Sequence, residues 1–272
     1  MATKLGIIAG GGDLPVRICE ACEEAGRPFF VVAIEHQADT RQLARFPHAV
    51  LRLGAAGKAL KAFKEQGVRD LVMAGKVSRP SLAQLRPDAE ALKFFTTVGR
   101  GAGGDDDLLT RVANYFQDKH GFNVISVGDV LGRTGVDQGT LTRTAPDGAR
   151  QADIERGLFV LKTLGPADVG QAVVVQEGIV LGVEAIEGTD ALIERCGALK
   201  RPGPGPVLIK IAKPGQDNRV DLPTIGEQTI EHAAAAGFSG IAVEADRTII
   251  LDREATVAAA DRAGLFLIAI TP

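Results

Sequence analysis

The sequence contains no tryptophan, one tyrosine and three cysteines in 272 residues. So few large aromatic surfaces argue against base stacking as a main binding mode. Three cysteines cannot build a disulfide framework, which points to a reducing, cytoplasmic setting. Cys19 and Cys22 form a CxxC, but no second pair exists to complete a metal site. At i and i+3 of the helical stretch VRICEACEEAG they read as two small core-facing residues. Charge of one sign is also lacking: 31 Lys and Arg against 34 Asp and Glu leave a formal −3. No global field recruits nucleic acid, and no nucleic-acid partner is expected. No apolar run approaches the roughly 18–20 residues of a membrane span. MATKLGIIAGGGD reads as a strand entering a glycine turn rather than a signal peptide. The four histidines (His36, His48, His120 and His232) do not cluster, and no H-x-x-H or Ser-His-Asp spacing occurs. Histidine-nucleophile and zinc chemistry are therefore disfavoured. Metal-assisted phosphoryl transfer needs no histidine.

What is present is alternation. LGIIA (5–9), FFVVAI (29–34), AVLRLG (49–54), DLVMAG (70–75) and GFNVISV (121–127) read as strands. Helical patterns fall between them, near 16–25, over AAGKALKAFKEQG and over about 105–119. Strands alternating with helices predict a Rossmann-like, mostly parallel sheet over residues 1–132. The glycine-rich stretch GRTGVDQGTLTRTAPDGARQ lacks apolar periodicity, and residues 133–150 read as a linker. A C-terminal α+β domain with a mixed sheet is expected over residues 151–272. Its expected elements include a hairpin turning at Glu177-Gly178, a strand PVLIKIA, a helix N-capped by Thr224 and a second hairpin over GIAVEADRTIIL.

Five stretches could carry chemistry. In GIIAGGGDLP, a strand ends in Gly10, Gly11 and Gly12, with Asp13 next, before a helix. Backbone N–H groups and the helix dipole there suit a phosphate. Gly10 and Gly12 fit a dinucleotide fingerprint, but its third glycine is replaced by Pro15. Glu35 follows the second strand, where a ribose-binding acid would stand. In VMAGKVSRPSL, Lys76, Ser78 and Arg79 follow a strand that the carboxyl-end rule sets beside the glycine turn. Asp105, Asp106 and Asp107 open a helix, either offsetting its dipole or holding a hard cation or a ribose. Arg143 lies in the glycine-flanked TRTAPDG.

The fifth stretch, VLIKIAKPGQDNRVDLPTIG (207–226), is the richest. Lys213 and Arg219 suit phosphate oxygens, Gln216 supplies an amide, and Asp217 and Asp221 stand four apart. Mg²⁺ takes a few carboxylates plus water and phosphate oxygens. A self-paired polar loop is the bland alternative.

GIIAGGGDLP, AGKVSRPSL, GDDDLL, EGTDALIERCG and KIAKPGQDNRVDLPTIG, in this order, resemble the UDP-2,3-diacylglucosamine pyrophosphatases of lipid A biosynthesis. The type meant is the one once known only as a domain of unknown function, not the calcineurin-like metallophosphoesterases. The resemblance spans nearly the whole chain, and its last motif is the most specific. It implies a Mg²⁺-dependent hydrolase of Gram-negative bacteria, splitting UDP-2,3-diacylglucosamine into UMP and 2,3-diacylglucosamine 1-phosphate (lipid X) by water attack. It implies two domains with ligand between them, catalysis by Asp221, Asp217 and Lys213, and metal at Asp217, Asp221, Asp105 and Asp106. Which of Asp217 and Asp221 is ligand and which is base stays open. Substrate contacts are expected at Gly10, Gly11, Gly12, Asp13, Lys76, Ser78, Arg79, Arg143, Gln216, Arg219, Thr189 and Asp190. Phe94 and Phe95 could line an acyl slot or ordinary core. The lipid substrate implies peripheral contact with the inner membrane, and self-association stays open. Two rival readings are an NAD(P)-dependent oxidoreductase using the glycine turn and a non-catalytic nucleotide- or lipid-binding module.

Overall fold

The computed structural model describes residues 2–77, 85–98, 105–132, 135–217, 219–220 and 222–272, without the side chains of Val98, Asp105 and Asp106. The chain divides into two compact units, Met1–Gly132 with Asp217–Asp221, and Arg133–Gln216 with Leu222–Pro272.

In the first unit, β1 (Leu5–Ala9), β2 (Phe29–Ile34), β3 (His48–Leu51), β4 (Asp70–Ala74) and β5 (Asn123–Val124) form one sheet. Its order is β3-β2-β1-β4-β5, and every pairing is parallel. Strands buried on both faces must be apolar throughout, and β2 is buried at all six positions. The helices are α1 (Leu14–Glu24), α2 (Thr40–Leu43), α3 (Ala56–Glu65), α4 (Ala89–Val98), α5 (Asp105–His120) and α6 (Val127–Leu131). Phe63 of α3, Phe116 of α5 and Phe122 meet edge to face in the core. Phe94 is buried against Phe95 and Tyr115. Cys19 and Cys22 face the core from α1, and burial pushes the Cys19 thiol up to about 12.

Two first-unit expectations change. GFNVISV yields only a two-residue strand, because Ser126 and Asp129 form a reciprocal capping box that starts α6. The helix read from residue 16 opens at Leu14, with Pro15 in its first turn, where its missing N–H costs nothing.

The second unit is built on a mixed six-stranded sheet of order β6-β13-β11-β9-β7-β8. Its strands are β6 (Gly139–Thr140), β7 (Ala172–Gln176), β8 (Ile179–Val183), β9 (Val207–Lys210), β11 (Gly240–Glu244) and β13 (Phe266–Ile270). β9, β11 and β13 are parallel; β6, β7 and β8 each run antiparallel to a neighbour. A short parallel pair joins β10 (Thr224–Ile225) to β12 (Ile249–Ile250). One sheet face packs on α7 (Gly148–Leu164) through Ile154 and Leu161. The other packs on α8 (Thr189–Ala198), α9 (Glu227–Ala235) and α10 (Arg253–Ala263) through Leu192, Ile193, Ile230 and Ala260.

The hairpin at Glu177-Gly178 forms, with both residues at positive φ as a tight turn between twisted strands requires. The second expected hairpin does not: β11 lies in the large sheet and β12 pairs with β10. Thr224 lies in β10 rather than capping a helix, and Gly226 stands at the N-cap of α9. Of residues 133–150, read as a linker, 139–140 form edge strand β6 and helix α7 begins at 148.

Candidate active site

In the first unit, strand order reverses between β1 and β4, the place where open parallel sheets hold ligands at their carboxyl ends. The glycine turn and Lys76 meet there. Gly11 and Lys76 exchange backbone hydrogen bonds of 2.8 and 2.9 Å, and Gly10 N–H donates to the Ala74 carbonyl at 2.8 Å. Glycine is required at position 10, because a Cβ would stand 2.6 Å from the Lys76 carbonyl oxygen. The N–H groups of Gly10 and Gly11 are thus committed to the fold. An anion would be met instead from Gly12 onward, at the start of α1, beside exposed Asp13 and Lys76. Ser78 and Arg79 lie outside the described residues.

The acidic triplet opens α5, and Asp107 pairs with Arg111 one turn on, at 2.9 Å. The side chains of Asp105 and Asp106 lie outside the described atoms. Further along α5, Asn114 and Gln117 receive Arg219: its Nη2 donates to Asn114 Oδ1 at 2.8 Å and its Nη1 to Gln117 Oε1 at 3.1 Å. The same guanidinium grips Asp217, with Nε at 3.0 and 3.1 Å and Nη2 at 2.6 Å from the carboxylate oxygens. These bonds hold the Asp217 carboxyl below the usual range, against the opposing pull of burial. Asp221 lies outside the described residues. Among the described residues, no group of three or more His, Cys, Asp or Glu could hold a metal ion. Arg219, expected on phosphate, forms a fork on Asp217 and reaches two side-chain amides.

In the second unit, polar side chains gather where β8, β9 and β11 end. Glu184, Lys210, Gln216 and Glu244 are each less than 9 % exposed. Burial of a charge is costly unless it is paired and hydrogen-bonded. On the α8 face, Lys210 Nζ donates to Thr189 Oγ1 at 2.8 Å and to the Thr224 carbonyl at 3.1 Å. The Thr189 hydroxyl in turn donates to Glu184 Oε1 at 2.6 Å, and Glu184 Oε2 accepts the Gln171 N–H. Glu244 accepts the Ala212 N–H at 2.7 Å. Gln216 closes a turn with Lys213, accepting its N–H at 2.8 Å, and Lys213 Nζ pairs with Asp168.

Of the second-unit residues expected from sequence, Lys213, Gln216 and Thr189 thus lie in this polar network. Asp190 is exposed and pairs with His232 at 3.4 Å. Arg143 is set apart. Its N–H and guanidinium meet Asp261 of α10, and the chain before it runs alongside the amino end of β13, the opposite edge of the sheet. Glu184, Glu244 and Asp168 were not picked out from sequence, and Lys210 counted only among the polar residues crowded into the 207–226 stretch, with no role of its own. Lys210 and Glu244 carried one usable signal, a charged residue closing an apolar strand.

The chain matches two family descriptions, "LpxI N-terminal domain" over residues 4–134 and "LpxI C-terminal domain" over residues 137–268. It is 44 % identical over 276 aligned positions to the UDP-2,3-diacylglucosamine pyrophosphatase LpxI of Caulobacter vibrioides, covering 99 % of this chain and 98 % of that one. A crystal structure of carboxyaminoimidazole ribonucleotide synthase from asperigillus clavatus, complexed with ATP, aligns with 73 % of this chain and 45 % of its own at 15 % identity and a TM-score of 0.25. That last likeness is too slight to bear on fold or function.

Proposed function

Since the chain belongs to the LpxI family, we propose that it hydrolyses UDP-2,3-diacylglucosamine to UMP and 2,3-diacylglucosamine 1-phosphate, the lipid X of lipid A biosynthesis. The observation that carries this is the 44 % identity to a curated enzyme of that activity over 99 % of the chain. One P–O bond of the anhydride breaks, and one forms from water, with no covalent enzyme intermediate.

The residues suit this chemistry. A pyrophosphate needs its charge neutralised as the leaving oxygen develops. Lys213 and Lys76 are cations at the strand ends of their units, and the start of α1 adds a favourable dipole. Asp217 is kept ionised by Arg219, so it is a weak base and a good fixed charge. That leaves Asp221 for the acid–base role. Mg²⁺ is the cofactor we propose, with Asp217, Asp221, Asp105 and Asp106 as its candidate oxygen donors. The ionised Asp217 has the hard, charged oxygens such an ion takes, although its grip on Arg219 competes for them. When bound, Mg²⁺ would neutralise the two phosphates and hold them in line.

Among the described residues, no helix is long and apolar enough to cross a membrane. The substrate's acyl chains lie in a bilayer, so we place the enzyme at the cytoplasmic face of the inner membrane, as a peripheral protein. The NAD reading loses ground, because Pro15 replaces the third glycine of its fingerprint and the first two N–H groups of the turn are used by the fold.

The test is UMP release from UDP-2,3-diacylglucosamine with Mg²⁺ and with EDTA, for the native chain and for Asp221→Ala. Mg²⁺-dependent release abolished by the substitution supports the proposal. No release by the native protein, whatever the metal, rejects it.

A further inference from the structure

Lys210 closes an apolar strand: Val207, Leu208 and Ile209 before it are fully buried, and Lys210 itself is 6 % exposed. A methionine or leucine there would continue the core without the desolvation cost of an ammonium. Stability alone therefore does not account for a lysine, and what its ammonium holds is informative. One hydrogen bond goes to Thr189 Oγ1 and one to the carbonyl of Thr224. The Thr189 hydroxyl has one orientation only, because it accepts from Lys210 and donates to Glu184.

Thr224 is the exit stem of the acidic stretch, three positions after Asp221 in sequence. The stem is gripped again next door, where the Pro223 carbonyl accepts the Ile249 N–H at 2.8 Å. Pro223 itself has a fixed φ and transmits that hold stiffly. The entry stem is held by separate buried groups, Glu244 on the Ala212 N–H and Gln216 on the Lys213 N–H. Both ends of the stretch that carries the catalytic carboxylates are thus fastened to one sheet edge.

We propose that Lys210 is a positioning residue for the hydrolysis: through Thr224 it sets the exit stem of the acidic loop, and through Thr189, braced by Glu184, it ties that stem to the start of α8. The inference rests on the hydrolase reading for its kinetic consequence but not for its structural one. A displacement of about 1 Å at a reacting group can cost about 100-fold in rate without weakening ground-state binding. Loss of Lys210 therefore acts on kcat rather than KM.

The experiment compares Lys210→Met and Glu184→Gln with the native chain, in two measurements. The first is backbone hydrogen exchange at residues 222–226, with β7 as an internal control. Lys210→Met is expected to speed exchange at the exit stem by at least tenfold and to leave β7 unchanged. The second is UMP release, where Lys210→Met is expected to lower kcat roughly 10–100-fold with KM within about threefold. Glu184→Gln, which still accepts from Thr189, is expected to fall in between. Equal exchange at the stem in native and Lys210→Met overturns the proposal, even if the native protein releases no UMP. So does a fall in rate that only matches a fall in folded fraction. Faster stem exchange in Lys210→Met than in a native protein that itself proves inactive would support the tie between Lys210 and the exit stem and reject the hydrolase reading alone.

Discussion

Replacing Arg219 by alanine removes the fork that fastens Asp217 and α5 together. Three contacts to the carboxylate disappear, at 2.6, 3.0 and 3.1 Å, with one each to Asn114 and Gln117. A charge-assisted hydrogen bond is worth about 1.5–3 kcal/mol. The Arg219 side chain is 31 % exposed and that of Asp217 is 15 % exposed, so solvent screening reduces the figure. About 1–2 kcal/mol remains for the ionic contact after that discount. For 150–250 residues, about 1 kcal/mol corresponds to roughly 2–4 °C in Tm, so the expected drop is roughly 2–8 °C at pH 7. The pH dependence has a definite sign. The folded carboxyl of Asp217 titrates below its unfolded value of about 3.9, so its contribution is full well above pH 4 and is lost as pH falls through the lowered folded value. Thermal unfolding of native and Arg219→Ala protein at pH 7, 5 and 3 is the assay. The gap should be equal at pH 7 and 5 and should narrow at pH 3, below the unfolded value, with further loss as pH falls through the lowered folded value. A gap of the same width at pH 3 as at pH 7 would refute the ionic reasoning, and no gap at all would refute the fork.

Two further outcomes follow from the same structure. Gly10→Ala places a Cβ 2.6 Å from the Lys76 carbonyl oxygen, a backbone atom that cannot swing away, whereas Gly12→Ala meets nothing within 4 Å and carries only the strain of φ +86°. Gly10→Ala should therefore cost about 1–3 kcal/mol and Gly12→Ala about 1 kcal/mol in urea unfolding, and the reverse order would count against the turn as described. All three cysteines are buried, with burial raising each thiol, so a thiol reagent at pH 8 should label the native protein at least tenfold more slowly than the urea-unfolded chain. Labelling of Cys19 at equal rates in both would contradict its place in the core.

The parallel sheet of the first unit was legible in the sequence because its central strands β1, β2 and β4 bury both faces and the longer crossover helices show their own periodicity, both local properties. The glycine turn was legible in part for the same reason, since the positive φ of Gly12 is a local demand, whereas Gly10 is required by the Lys76 carbonyl that strand pairing brings beside it. The hairpin at Glu177-Gly178 needed only its turn. The capped end of GFNVISV was written in Ser126 and Asp129, but β-branched neighbours masked it. What sequence could not decide was pairing at a distance. GIAVEADRTIIL reads as a hairpin by pattern, yet its two strands join different sheets, because β9 and β13 take both edges of β11 and β12 pairs with β10. Arg219 reads as a phosphate ligand from its residue type, and its contacts to Asn114 and Gln117, 105 and 102 residues away, appear only in the fold. Lys210, Glu184 and Glu244 are ordinary charges in the linear chain. They become one polar edge only because strands β8, β9 and β11 end together, and the low dielectric there makes every unpaired charge expensive. Residue chemistry and local period are carried by the chain itself, while the partner of a buried charge exists only once the sheet has closed.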